Sequence, residues 1–167
     1  APRGDRGAVH RFNSAGEEVE VYTGDDNFKL GESMATHPDF PGVVLGDSRY
    51  NDNRGGFLIS IGDDSPFIAG SFRGERLGER IFLVPDLDED GTPDILATGQ
   101  ADRGIGDGRG TTYFPSSNWD GRIGVLTPVI RDSTFAESLT WGNFWSPNEL
   151  HFAYGTPSLD VIGRRNV

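Results

Sequence analysis

Four aspartates near the middle of the chain have the spacing of calcium ligands. They are Asp86, Asp88, Asp90 and Asp94, at positions 1, 3, 5 and 9 of one short stretch, and Gly91 lies among them. Their carboxylates converge only if the backbone wraps around a point, and a glycine permits the sharp turn that this requires. Calcium takes about 6–8 oxygen ligands at about 2.3–2.6 Å, which carboxylates and carbonyls supply. The stretch therefore predicts a calcium site at residues 86–94.

The flanking residues predict that this site lies in a β-hairpin. Position 7 is Thr92, whose backbone carbonyl we expect to be a further ligand. An EF-hand would need a glutamate at position 12, where Ala97 stands, and helices on both sides. Short apolar runs at residues 80–84 and 95–98 predict strands instead. The alternative is an acidic surface turn that binds no metal, and magnesium fits less well because it retains several waters.

The elements around the loop recur along the chain. A glycine that opens a short alternating strand occurs at Gly7, Gly56 and Gly110, at intervals of about 50 residues. Two further features recur in the same order: a triplet similar to Leu-Gly-Glu at residues 30–32, 77–79 and 135–137, and an apolar strand ending in glycine at residues 43–46, 95–99 and 152–155. This shared order predicts three structural repeats.

The repeats predict an all-β fold. Units of about 40–55 residues with about four strands each are typical of β-propeller blades. No stretch keeps an apolar helical period over a dozen residues without glycine or proline, so we expect little helix. We predict one repeat domain, 1–167, of three blade-like antiparallel sheets: 7–55, 56–109 with the calcium loop, and 110–167.

The second repeat resembles the FG-GAP repeat, which builds the β-propeller of integrin α-subunits and of many bacterial extracellular proteins. The shared features are the Leu-Gly-Glu triplet, the Asp-x-Asp-x-Asp-Gly-x-x-Asp loop, the Ile-Leu-x-x-Gly strand and the glycines that open the next strand. The order of features matches along nearly the whole chain, but the match is specific only from Gly56 to Gly108. The resemblance implies calcium ligands, and these are Asp86, Asp88, Asp90, Asp94 and the carbonyl of Thr92.

The first and third repeats depart from the family pattern. The equivalent loop keeps one carboxylate at residues 39–42 and loses the ligand spacing at residues 143–149, so we expect one calcium site. A propeller of this family closes with about seven blades, and three blades would leave sheet edges open. The chain is therefore expected to be a fragment of a longer propeller or to assemble with other copies through those edges.

Charge and composition exclude several classes of function. The formal net charge of −11 argues against binding to nucleic acid and to an anionic membrane surface. The chain has no cysteine for disulfides or thiolate metal sites, and no apolar run long enough to span a bilayer. Its first residue, Ala1, fits a processed or trimmed protein.

These observations predict a non-enzymatic, secreted or cell-surface calcium-binding module with a structural or adhesive role. Its partners are expected to be copies of itself or another extracellular protein. The alternative is a propeller lectin, in which Trp119 and Trp145 from turn-rich segments stack against a glycan. Core or interface packing is the other interpretation of these tryptophans, and we expect Trp141, in a strand, to be in the core.

Overall fold

A computed structural model describes residues 7–24, 29–61, 65–100, 109–119, 121, 123–126, 138–142 and 150–155. Twelve β-strands lie in these ranges. In chain order they are β1 (Ala8–Phe12), β2 (Glu18–Thr23), β3 (Ser33–Ala35), β4 (Val43–Asp47), β5 (Gly56–Ser60), β6 (Phe67–Ala69), β7 (Ile81–Val84), β8 (Asp94–Gln100), β9 (Arg109–Phe114), β10 (Ile123–Leu126), β11 (Ser138–Gly142) and β12 (His151–Gly155).

The all-β prediction is confirmed. Every strand pairs with its neighbours in the antiparallel sense. Helical structure in the described ranges is limited to a single turn at Tyr50–Asn53 and a 3₁₀ turn at Ser116–Asn118. Asn51, Asp52 and Asn53 have positive φ, so the first of these turns is not a right-handed helix. None of the helical segments described is long and apolar enough to cross a membrane.

The strands form two four-stranded sheets and two hairpins. Sheet one has the order β3-β4-β5-β6 and sheet two the order β7-β8-β9-β10. Strands β1 and β2 form the N-terminal hairpin, and β11 and β12 form the C-terminal hairpin. The predicted starts of the second and third repeats, at residues 56 and 110, thus lie within the sheets, within one residue of the start of each third strand. No closed ring of sheets is seen among the described residues.

Each recurring sequence feature has a fixed place in a sheet. The Leu-Gly-Glu triplet comes directly before the first strand of sheet one, β3, and one residue before the first strand of sheet two, β7. The apolar run that ends in glycine forms the second strand, β4 or β8, and the glycine-led run forms the third. These equivalent positions explain why the features recur in one order.

The core lies between the two sheets. Phe57 of sheet one and Phe114 of sheet two are both fully buried, and their rings meet edge to face with centroids 5.0 Å apart. Leu77, in the connection before sheet two, is fully buried in the same cluster. The Ser33 hydroxyl donates a hydrogen bond to the carbonyl of Gly78 at 2.7 Å and joins the starts of the two sheets. This packing fixes the frame that carries the turn between β7 and β8.

Candidate metal centre

The four aspartates lie in the turn that connects the first two strands of sheet two. Val84, the last residue of β7, pairs with Asp94, the first residue of β8, so residues 85–93 form the loop between them. The backbone reverses through two positive-φ residues, Glu89 at 62° and Gly91 at 94°. A Cβ at Gly91 would meet no atom within 4 Å, so glycine is favoured there by backbone conformation rather than by space.

The carboxylates of the loop accept hydrogen bonds from its own backbone. Asp86 accepts hydrogen bonds from the backbone N–H groups of Asp90, at 3.1 Å, and Gly91, at 2.6 Å. Asp94 accepts one from the N–H of Leu87 at 2.7 Å. Aspartates favour such bonds to nearby backbone groups, and here the bonds turn the chain inward. The sequence therefore folds this loop around its acidic side chains.

Three of the predicted ligands are brought together. One carboxylate oxygen from each of Asp86, Asp88 and Asp94 lies within 4.8 Å of the other two. Oxygens that share a calcium ion at about 2.3–2.6 Å are at most about 5 Å apart, so this spacing is suitable for a common cation. Three negative charges at this separation repel one another in the absence of a cation. The group can therefore hold a divalent ion.

Asp94 is the innermost member of the group. It is fully buried, and its two oxygens accept hydrogen bonds from the Ser116 N–H at 2.7 Å and the Tyr113 hydroxyl at 2.8 Å. Burial, followed by the contact with Asp94, raises the pKa of Tyr113 above its ordinary value. The tyrosine therefore remains a neutral donor and fixes the orientation of this carboxylate.

The 3₁₀ turn at Ser116–Asn118 closes over the loop. The Ser117 hydroxyl donates a hydrogen bond to Oδ2 of Asp88, and this bond lowers the pKa of Asp88 below its ordinary value. Oδ1 of Asp88 is shielded from solvent and has no hydrogen-bond partner. An oxygen that is shielded and has no hydrogen-bond partner is a suitable ligand for a cation, because coordination would compensate its lost hydration.

Two predicted ligands remain: Asp90, whose carboxylate is not a member of the group of three, and the backbone carbonyl of Thr92. Both instead face the Ser116 hydroxyl, which is 2.7 Å from Oδ1 of Asp90 and 3.0 Å from the carbonyl oxygen of Thr92. One hydroxyl has a single proton and can satisfy only one of these acceptors at a time. Rotation of the Ser116 hydroxyl would free both oxygens from this contact, and their role as ligands stays a prediction.

Sequence reasoning missed Ser116 and Ser117. They lie more than 20 residues from the loop, and no spacing rule connects them to it. Their position results from strand register, because Ile95 pairs with Phe114 and places the residues after β9 beside the loop before β8. The sequence offers one signal, a serine pair that follows, after Pro115, the strand predicted to open at Gly110.

Outside this loop the structure gives less support for a glycan-binding or metal-binding site. Trp119 packs against the core and meets the Phe40 ring edge to face at 6.3 Å, and Trp141 donates a hydrogen bond from Nε1 to the carbonyl of Leu83 at 3.3 Å. Trp145 and the loop at residues 143–149 lie outside the described residues. Lectin activity therefore stays a prediction. The loop at residues 39–42 contributes no acidic cluster among the residues described.

No model of a known protein family matches the chain, and no curated protein sequence matches it.

Proposed function

We propose that the chain is a non-enzymatic, extracellular calcium-binding module with a structural or adhesive role, built from FG-GAP-like blades. The observation that carries the proposal is the convergence of Asp86, Asp88 and Asp94 in the turn between the first two strands of a four-stranded sheet. The sequence resemblance supplies the blade assignment, and the two up-and-down sheets support it.

Calcium would bind to the loop through charge and coordination together. Three carboxylates provide a formal charge of −3 against the +2 of the ion, and waters and carbonyl oxygens would complete the shell. Two of the carboxylates are partly exposed, which is typical of a weak site with an open coordination sphere. Extracellular modules bind calcium with dissociation constants of about 10⁻⁴–10⁻³ M, and we expect this range here.

The bound ion would stabilise sheet two. The acidic loop joins β7 to β8 and also contacts the turn that follows β9, so one ion would connect three of the four strands. A ligand that binds only the folded chain stabilises it by about 2.7 kcal/mol at a hundredfold excess over its dissociation constant. This contribution is the structural role that we assign to calcium.

Terbium luminescence tests the site directly. Tb³⁺ resembles Ca²⁺ in its coordination, and the Tyr113 ring, in contact with Asp94, is well placed to sensitise a bound terbium ion. We expect sensitised emission on titration of Tb³⁺ and loss of this emission when Ca²⁺ competes. Absence of emission, together with an unchanged melting temperature in calcium and in chelator, would overturn the proposal.

A pair of loop variants assigns the ion to the predicted residues. Asp88→Asn removes the charge of one clustered carboxylate, and we expect calcium affinity to fall at least about tenfold, because a charged ligand is lost. Glu89→Gln removes an exposed charge from the same loop outside the cluster and is the matched control. Calorimetric titration of both variants checks the prediction, and equal losses in the two would indicate only nonspecific attraction to an acidic surface.

A further inference from the structure

Two adjacent serines in the turn that follows β9 contact different aspartates of the acidic loop. Ser117 donates hydrogen bonds to Oδ2 of Asp88 from its hydroxyl and from its backbone N–H, the latter at 3.3 Å. The Ser116 hydroxyl lies 2.7 Å from Oδ1 of Asp90 and 3.0 Å from the carbonyl oxygen of Thr92. Asp88 belongs to the group of three carboxylates and Asp90 does not. One serine thus holds an aspartate within the group, and the other holds an aspartate outside it.

Most oxygens of the group of three are already in hydrogen bonds. Of the six carboxylate oxygens of Asp86, Asp88 and Asp94, five accept an N–H or O–H donor. Oδ1 of Asp88 accepts none, although it is shielded from solvent. A carboxylate oxygen has two lone pairs, so an oxygen that accepts one hydrogen bond can still bind a cation. The group therefore keeps its arrangement without a cation and has lone pairs available for one.

The Ser117 hydroxyl fixes the orientation of Asp88. An aspartate side chain can turn about its bonds, and its loss of rotational freedom on binding an ion opposes binding. Because the hydroxyl and the N–H of Ser117 both bind Oδ2, the carboxylate is held with Oδ1 left without a donor. Groups that orient a metal ligand from behind typically change metal affinity by about 10–100-fold.

The Ser116 hydroxyl has the opposite relation to Asp90. Oδ1 of Asp90 accepts hydrogen bonds from the Ser116 hydroxyl at 2.7 Å and from the N–H of Thr92 at 2.8 Å, so both of its lone pairs are in use. A cation can bind this oxygen only if one of these bonds breaks. The bond from Thr92 closes a local turn of the loop, whereas the bond from Ser116 comes from a separate turn. The Ser116 hydroxyl therefore competes with a cation for Asp90.

We propose that these two serines change the calcium affinity of the loop in opposite directions. Ser117 raises the affinity by holding Asp88 within the group of three. Ser116 lowers it by holding Asp90 outside the group. The inference rests on the proposed function and identifies the residues that set the affinity of its site. Calcium affinity in acidic loops depends on the number of charged ligands and on the rigidity of the site, and each serine changes one of these two properties.

Alanine at position 117 tests the positioning role. Ser117→Ala removes the hydroxyl and keeps the backbone N–H that also binds Asp88. We expect the dissociation constant for calcium, measured by calorimetric titration, to rise at least about tenfold. Ser117→Thr retains a hydroxyl and should recover most of this loss. Ser14→Ala, in the exposed turn of the N-terminal hairpin, is the matched control and should leave the dissociation constant unchanged.

Alanine at position 116 tests the competing role. Ser116→Ala keeps the backbone N–H that binds Asp94. It removes only the hydroxyl, and with it the contacts to Asp90 and Thr92. We expect the dissociation constant for calcium to fall by about three- to tenfold, the equivalent of one net hydrogen bond. In chelator the melting temperature should instead fall, because a contact between the loop and the turn is lost. A purely structural role of Ser116 would lower affinity and stability together.

A double variant tests whether the gain in affinity requires Asp90. Ser116→Ala combined with Asp90→Ala should bind calcium as tightly as Asp90→Ala alone, because no carboxylate is then left to be released. Weaker binding by Ser116→Ala, or a gain that survives the loss of Asp90, would overturn the role of Ser116. Natural affinity in Ser117→Ala would overturn the role of Ser117. In both cases the natural chain still binds calcium and the proposed function stands, whereas a natural chain that binds neither calcium nor terbium would overturn the proposed function and this inference together.

Discussion

At the scale of single residues, the polar contacts of its glutamate give a physical explanation for the recurring Leu-Gly-Glu triplet. Burial opposes ionisation of Glu32, but the hydrogen bond from the Ser48 hydroxyl and the charge of Lys29 outweigh it and lower the pKa of Glu32 below 4.5. The bond from Ser48 connects the residues before β3 to those after β4. Glu79, the equivalent residue in sheet two, accepts a hydrogen bond from Arg76 at 3.2 Å.

The lowered pKa of Glu32 predicts a pH-dependent stability. A group whose pKa is lower in the folded chain stabilises it fully above the unfolded value, and this contribution disappears as the pH falls through the folded value. We therefore expect part of the acid destabilisation below about pH 4.5 to be absent in Glu32→Gln. Melting temperatures from pH 6 to pH 3 check this, with exposed Glu17→Gln as the control. Parallel curves for Glu32→Gln and the natural chain would contradict it.

At the scale of elements, the strands were predictable and their grouping into sheets was not. The runs that open at Gly56 and Gly110 are strands β5 and β9 within one residue, because alternating apolar residues bounded by turn residues specify a strand locally. Sheet limits depend on which strands pair, and that depends on packing across the chain. The predicted repeats therefore begin at third strands, whereas the observed sheets begin after the Leu-Gly-Glu triplet.

The same difference between local and distant sequence information applies to the acidic loop at residues 86–94. Aspartate spacing and Gly91 specified the turn and brought Asp86, Asp88 and Asp94 together. The closing serines come from the strand pairing of β8 with β9, so a local pattern could not reveal them.

The packing between the two sheets predicts that truncation of one aromatic side chain lowers the stability strongly. Phe114→Ala removes a fully buried ring that meets Phe57 edge to face, and we expect a loss of about 3–5 kcal/mol in the free energy of unfolding. Met34→Ala, at a mostly exposed side chain, should change it by less than about 0.5 kcal/mol. Urea denaturation of both variants measures the difference. A cost near 1 kcal/mol for Phe114→Ala would show that the core does not depend on this pair.

At the scale of the whole molecule, the net charge of −11 opposes any association of copies. Salt screens this repulsion, since the Debye length falls from about 30 Å at 0.01 M to about 8 Å at 0.15 M ionic strength. The same excess of negative charge opposes the compact folded state, so we expect the melting temperature of the calcium-free chain to rise as sodium chloride is raised over this range. Thermal unfolding at several salt concentrations measures this, and a melting temperature that does not change with salt would show that charge repulsion contributes little to the stability of the chain.

The turn at Ser116–Asn118 has a consequence for the structural role proposed above. One end of this turn closes the acidic loop of sheet two, and the residue after its other end, Trp119, packs on Phe40 of sheet one. A force that separates the two sheets would therefore pull Trp119 away from Phe40 and draw the serines off the loop. The mechanical strength of the contact between the sheets and the proposed binding of calcium by the acidic loop would in this way both depend on one short turn.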